Sequence, residues 1–287
     1  MNLNHFGMDT ITLAGTLEAK LAAVKRAGFS EIMLSARDIA GHPDGYEVAI
    51  KSVKDSGLNV TGFQVLRDYE GLTGNLKSYK LEIAKQMLKM CRDVGSNLLL
   101  VCSSTSKHAD GDIETLAEDL RRLAMLAVPL NIKIAYEALS WGRHINQYPQ
   151  SWEVVELADA PNLGVGLDSF HIFAHSSDLS SLDYFDPAKV FFVQLSDFMW
   201  RETRTPEERI ETARHMRVFP GEGAHSQDIL SLVRKLDDMG YRGKYSFEVF
   251  NDDYQQLPPD VVTSRAMDSA RWVIEKALRR YLPIPNA

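Results

Sequence analysis

One unit recurs along the chain and limits what it can become. An amphipathic helical stretch closes on Gly or Asn and runs within a few residues into an aliphatic or β-branched segment: "LAAVKRAGFSEIMLS", "SVKDSGLNVTGFQVL", "MLKMCRDVGSNLLLVCSS", "AVPLNIKIAYEAL", "VVELADAPNLGVGLDSF" and "LVRKLDDMGYRGKYSFEV". Gly at that place supplies the left-handed residue that ends a helix, and Asn131 and Asn162 are the expected substitutes. From Gly28 to Gly57, Gly95, Asn131 and Asn162 the steps are 29, 38, 36 and 31 residues, one strand plus one helix each. Adding an opening strand at Thr10–Leu13 and one at "KVFFVQL" places eight strands near 10–13, 31–35, 59–64, 98–102, 132–137, 163–168, 190–194 and 245–249, each followed by a helix. Alternating strands and helices predict a parallel sheet, and eight units predict a closed (β/α)8 barrel. A doubly wound open sheet is the alternative, disfavoured because no Gly-x-Gly-x-x-Gly follows the first strand.

No linker interrupts the repeat, so residues 1–287 are expected to form a single barrel domain. The stretch 199–218, "MWRETRTPEERIETARHMRV", reads as a helical insertion between the seventh strand and its helix. "TSRAMDSARWVIEKALRRYL" is expected as the eighth outer helix, with Met267, Trp272, Ile274 and Leu282 among its apolar face.

Charge and cysteine content narrow the class of partner. Thirty-two basic and 39 acidic residues, net −7, are spread without a basic stripe, which argues against nucleic acid. No apolar run reaches the ~18 residues of a membrane-spanning helix. Cys91 and Cys102 make no disulfide framework, and "MNLNHFGMDT" lacks the pattern of a secretory leader. A reduced, cytoplasmic protein with a small-molecule partner is expected, homo-oligomerisation being left open.

Polar residues recur at the ends of the apolar runs: Glu137 closes "KIAYE", Asp168 closes "LGVGLD", Gln194 closes "VFFVQ" and Glu248 lies at the end of "YSFEV". In a parallel barrel the carboxyl ends of the strands line one mouth, so the four should converge. Three carboxylates gathered in so apolar a setting repel one another unless a cation joins them. Ligands offering oxygen alone suit Mn²⁺, Co²⁺ or Mg²⁺ better than a structural zinc; a hydrogen-bonded or arginine-paired cluster is the alternative. His144, after the fifth strand, and His171, three residues past Asp168, are the candidates for proton transfer. Arg67 after the third strand, Arg143 beside His144, and Arg217 before a tight turn are the candidates for substrate contact, since a guanidinium grips a carboxylate by two parallel bonds.

The blocks "YEALSWGRH", "GLDSFH", "FFVQLSD", "RVFPGEG" and "YSFEVFNDDY" resemble those of metal-dependent 3-dehydroshikimate dehydratases, within the xylose-isomerase-like TIM barrel superfamily that also holds sugar epimerases and endonuclease IV. The resemblance implies that Glu137, Asp168, Gln194 and Glu248 bind a divalent metal, Mn²⁺ first and Co²⁺ or Mg²⁺ as alternatives, and that His144 and His171 contact or deprotonate substrate. The implied reaction removes water from 3-dehydroshikimate through a metal-stabilised enolate and yields protocatechuate. A keto-sugar isomerase or epimerase is the rival within the superfamily, and a non-catalytic barrel that binds a sugar acid is the rival outside enzymes. Many epimerases carry His at the place of Gln194, and endonuclease IV needs more histidine ligands than this chain arranges. The loops "SARDIAGHPDGYE" and "SKHADGDIE" match no pattern of the dehydratases.

Overall fold

The apolar runs behind the helices are the staves of one closed barrel. A computed structural model describes residues 2–175 and 178–278. Strands β1 (Phe6–Asp9), β2 (Glu31–Ser35), β3 (Asn59–Arg67), β4 (Leu98–Cys102), β5 (Lys133–Glu137), β6 (Leu163–Asp168) and β7 (Val190–Leu195) lie side by side in chain order. A two-stranded antiparallel ribbon of β8 (Asp197–Phe198) and β9 (Arg217–Val218) stands apart, and β10 (Tyr245–Phe247) closes the barrel between β7 and β1. All eight barrel pairings are parallel, for example Met8 opposite Phe247 and Asp168 opposite Gln194.

Helices cover the outside: α1 (Leu17–Arg26), the short α2 (Ala36–Ala40), α3 (Tyr46–Ser56), α4 (Gly74–Asp93), α5 (Ile113–Ala127), α6 (Tyr148–Ala158), α7 (Ser169–Phe173), α8 (Pro206–His215), α9 (Ser226–Asp238) and α10 (Pro259–Leu278). Leu282, expected on the last helix, lies outside the described residues. The expectation of a full helix after every strand fails after β6. There the five-residue α7 and two 3-10 turns replace it, and Phe185 from that segment stacks on Trp152 with ring centroids 4.5 Å apart. Gly28, Gly57, Gly95 and Asn131 take positive φ as expected, but Asn162 does not. Asp159 ends α6 in the left-handed region instead (φ 43°), and Asn162 spends its amide on the carbonyls of Ala124 and Ile132. Among the described residues no helix is long and apolar enough to cross a membrane.

The first strand lies four residues before its expected place. "TITL" drew the expectation because it is β-branched, yet Thr10–Thr12 is a 3-10 turn. Its hydroxyls act as ties: Thr10 Oγ1 accepts from the Ser35 amide, and Thr12 Oγ1 donates to the Phe247 carbonyl. The true strand, "FGMD", puts Gly7 where a Cβ would lie 2.9 Å from the Glu31 carbonyl oxygen, so β1 and β2 approach too closely for any side chain there. This shift makes Asp9 a strand-end carboxylate.

Side chains alternate along a strand, which sorts the interior. Met33, Leu98, Leu100, Ala135 and Phe192 form a small apolar cluster inside the barrel, separate from the shell between strands and helices. Two residues further along, the same faces turn polar: Cys102 follows Leu100, Glu137 follows Ala135, and Gln194 follows Phe192. Asp9, Gln64, Glu137 and Gln194 come from alternate strands and make one layer in the manner of such barrels.

Candidate functional site

Above the apolar cluster lies a cavity of about 200 Å³, lined among others by Gln64, Arg67, Cys102, Glu137, His171 and Glu248. Glu137, Asp168, Gln194 and Glu248 are each buried. Ligand atoms of Glu137, Asp168 and His171 all lie within 4.8 Å of one another. Asp168 and Glu248 meet at a single nitrogen, Arg217 Nη1, at 2.7 and 3.2 Å. Glu137, Asp168 and Glu248 are thus brought together, while Gln194 is outside the cavity lining, its amide nitrogen turned to Asp9 and Gln64.

Electrostatics and hydrogen bonding both fit a cation among them. Burial, then repulsion from Asp168 and Glu248, holds the Glu137 carboxyl well above the usual carboxylate range. Burial raises Glu248 as well, opposed by Arg217. The thiol of Cys102 donates to Glu137 Oε2 at 3.0 Å, while Glu137 Oε1 is buried with no partner. Buried polar atoms are rarely left so, and a bare carboxylate oxygen facing two other carboxylates matches a divalent cation's demand for oxygen ligands.

His171 is the imidazole that reaches this group. It is buried, its Nε2 stands 3.7 Å from Asp168 Oδ2, and the edge of Trp141 packs against it with ring centroids 5.0 Å apart. Burial lowers its pKa to about 3, the nearby Asp168 charge opposing and Arg217 assisting. The ring is therefore neutral at ordinary pH. Its Nδ1 lies 3.1 Å from both the amide nitrogen and the hydroxyl of Ser140. The backbone amide can only donate, so Nδ1 is the bare acceptor here and the proton of the neutral ring sits on Nε2, toward Asp168.

Three expected residues are placed differently. His144 does not line the cavity: it is half-buried, and its Nε2 reaches the Ala109 carbonyl at 3.0 Å. Gly142 folds its loop tightly, a Cβ there falling 2.0 Å from the Ile145 carbonyl, and Gly111 opens the slot its ring fills. The neighbouring Arg143 is exposed and likewise outside the cavity lining. Arg217, expected to grip a substrate, sits at 2 % exposure between the rings of Phe170 and Phe250, committed to Asp168, Glu248 and the Ala213 carbonyl. Its place on the short β9 aims it at the carboxylates rather than at solvent. Arg67 is exposed and lines the cavity, and among the described residues no carboxylate pairs with its guanidinium.

Sequence reasoning missed Asp9 and Gln64. Asp9 is completely buried, accepts from Gln194 Nε2 at 3.0 Å and leaves Oδ1 unpartnered. Burial, and next Glu248, hold its carboxyl well above the usual range. Placing the first strand on "FGMD" would have shown Asp9 at a strand end like Asp168.

A family model described as xylose isomerase-like TIM barrel matches residues 21–275. The 3-dehydroshikimate dehydratase of Pseudomonas aeruginosa is 36 % identical over 276 residues, 95 % of this chain and 42 % of that protein. This chain thus spans about two fifths of that relative's length. An inosose isomerase of Halalkalibacterium halodurans is 30 % identical over 165 residues, 55 % of this chain and 53 % of that one. Among solved structures, a xylose isomerase-like TIM barrel/4-hydroxyphenylpyruvate dioxygenase fusion protein superposes with a TM-score of 0.89 at 34 % identity, covering 97 % of this chain and 44 % of its own.

Proposed function

The chain belongs to the xylose isomerase-like TIM barrel family, and from that membership we propose that its mouth binds a divalent cation and dehydrates 3-dehydroshikimate to protocatechuate. The observation that carries the reading is the group of buried carboxylates, one with a bare oxygen, beside a neutral buried imidazole. The dehydratase named above, alike over nearly the whole of this chain, supports the substrate.

Glu137, Asp168, Glu248 and the amide oxygen of Gln194 would hold the cation, and a set of oxygens favours Mn²⁺, with Co²⁺ and Mg²⁺ next. Bound there, it supplies positive charge opposite a substrate oxygen on which negative charge gathers. The remaining chemistry belongs to the chain. His171, neutral and with Nε2 toward the carboxylates, takes the proton from the carbon beside the ring ketone at Nε2 once its ring proton has passed to Nδ1 and a small turn of the ring brings Nδ1–H off the Ser140 amide and onto the Ser140 hydroxyl. The imidazolium gives that proton to the β-hydroxyl, which leaves as water. One more proton then moves from a ring carbon to the former ketone oxygen, which makes the product aromatic. Arg67 meets the substrate carboxylate, and Trp141 shields the imidazole from water. Cys91 and Cys102, both free and buried, support a reducing cytoplasmic setting. The inosose isomerase likeness favours one second reading, in which the abstracted proton returns to carbon.

The test follows ultraviolet absorbance of the aromatic product with purified protein, 3-dehydroshikimate and each of Mn²⁺, Co²⁺ and Mg²⁺. Product should form, stop on chelation, and fall by about 10²-fold or more in His171→Ala while His144→Ala retains most turnover. No aromatic product with any cation, together with isomerisation of an inosose or keto sugar, moves the chain to the second reading.

A further inference from the structure

We propose that Asp9 is a positioning residue: its carboxylate holds the side-chain amide of Gln194 so that Oε1 faces the carboxylate cluster. This rests on the cation-binding reading of the mouth. Gln194 Nε2 donates to Asp9 Oδ2 at 3.0 Å and to Gln64 Oε1 at 3.4 Å. A carboxamide has a donor end and an acceptor end of nearly the same shape, so nothing within Gln194 selects which end points at the cluster. Gln64 is the weaker partner, at 3.4 Å against 3.0 Å for Asp9. Asp9 can select the end, since it has no amide end to turn over, and its Oδ2 accepts from Gln194 Nε2 at the shorter of the two distances. Asp9 is fully buried and Gln194 is 1 % exposed, so bulk water offers the amide no alternative partner. The two residues sit on β1 and β7 with β10 between them, and the bond crosses the barrel interior rather than following a ladder. Residues that orient a ligand in this way are worth 10- to 100-fold in affinity at other metal centres.

The experiment is calorimetric titration of Mn²⁺ into chelator-treated protein, with thermal melts of the same cation-free samples. Asp9→Asn presents an amide that pairs with either end of Gln194, and Mn²⁺ affinity should fall by about 10- to 100-fold. Gln194→Glu sets two carboxylates against each other and should also bind weakly. The double variant Asp9→Asn/Gln194→Glu restores one donor facing one acceptor with an oxygen toward the cluster, so its affinity should return to within about threefold of the parent. A residue needed only for folding would show no such rescue. Asp9→Ser carries the same expected loss should Asp9→Asn fail to fold. Asp9→Asn binding within about twofold of the parent, or a double variant no tighter than Asp9→Asn, overturns the proposal. Parent protein that binds no divalent cation overturns the cation reading and this inference with it, and that result is seen before any variant is compared.

Discussion

Arg67 and Arg217 bring the same charge to the same mouth, and burial separates what each can do. Arg217 is locked onto Asp168 and Glu248, whereas Arg67 stands exposed at the cavity wall. On the proposed function, Arg67→Lys keeps the charge but would lose two parallel bonds to a substrate carboxylate, so KM for 3-dehydroshikimate should rise by about 10-fold with a smaller change in kcat; steady-state kinetics showing an unchanged KM would remove Arg67 from substrate binding. Glu70 makes a different use of burial. It accepts from the Ser104 amide at 2.5 Å and the Tyr136 hydroxyl at 2.9 Å, leaves Oε2 unpartnered, and is pushed up to about 7 by desolvation. Unfolded, it loses its proton at about pH 4.3. Between that value and about 7 the folded chain binds more protons than the unfolded one, so this group's contribution declines as pH rises. Glu70→Gln should remove about 2–4 kcal/mol of that decline between pH 5 and 8. Melts of cation-free protein across the range check it, and equal slopes for parent and variant would contradict it.

At the level of elements, β1 shows how much a short strand can hold in place. It is four residues long and is flanked by β2 and β10, with Gly7 at the closest approach to β2. Gly7→Ala must push the strands apart, because the neighbour is backbone that cannot swing away, and about 1–3 kcal/mol of stability should be lost. Since Asp9 is two residues on, cation affinity should weaken in the same variant. A melting temperature equal to the parent's would show that β1 has more room than the strand spacing allows. The ribbon of β8 and β9 positions a side chain in a similar way. Its register, Asp197 opposite Val218 and Phe198 opposite Arg217, sets the depth at which the guanidinium enters the carboxylate group.

For the molecule as a whole, the barrel and four of its polar strand ends were legible because each follows an apolar run with a helix end before it. β2, β4 and β6 have the limits the sequence predicts. β1 was not legible: Gly7 breaks its pattern, and β-branched "TITL" next to it draws attention to a turn. Asp9 was lost with that strand, whereas Gln64 closes the expected third strand, 59–64, and its polar side chain at a strand end was the signal left unread. His144 could not be placed either, since a ring's direction beyond a tight loop depends on spaces such as the one at Gly111 that only the fold reveals. Within the barrel, the apolar cluster of Met33, Leu98, Leu100, Ala135 and Phe192 fills the interior below the cavity. That plug closes the interior beneath the cavity among the described residues, so on the proposed function a product made at its floor would leave by the way its precursor came in, and a product lingering there would compete with the next substrate for the same path.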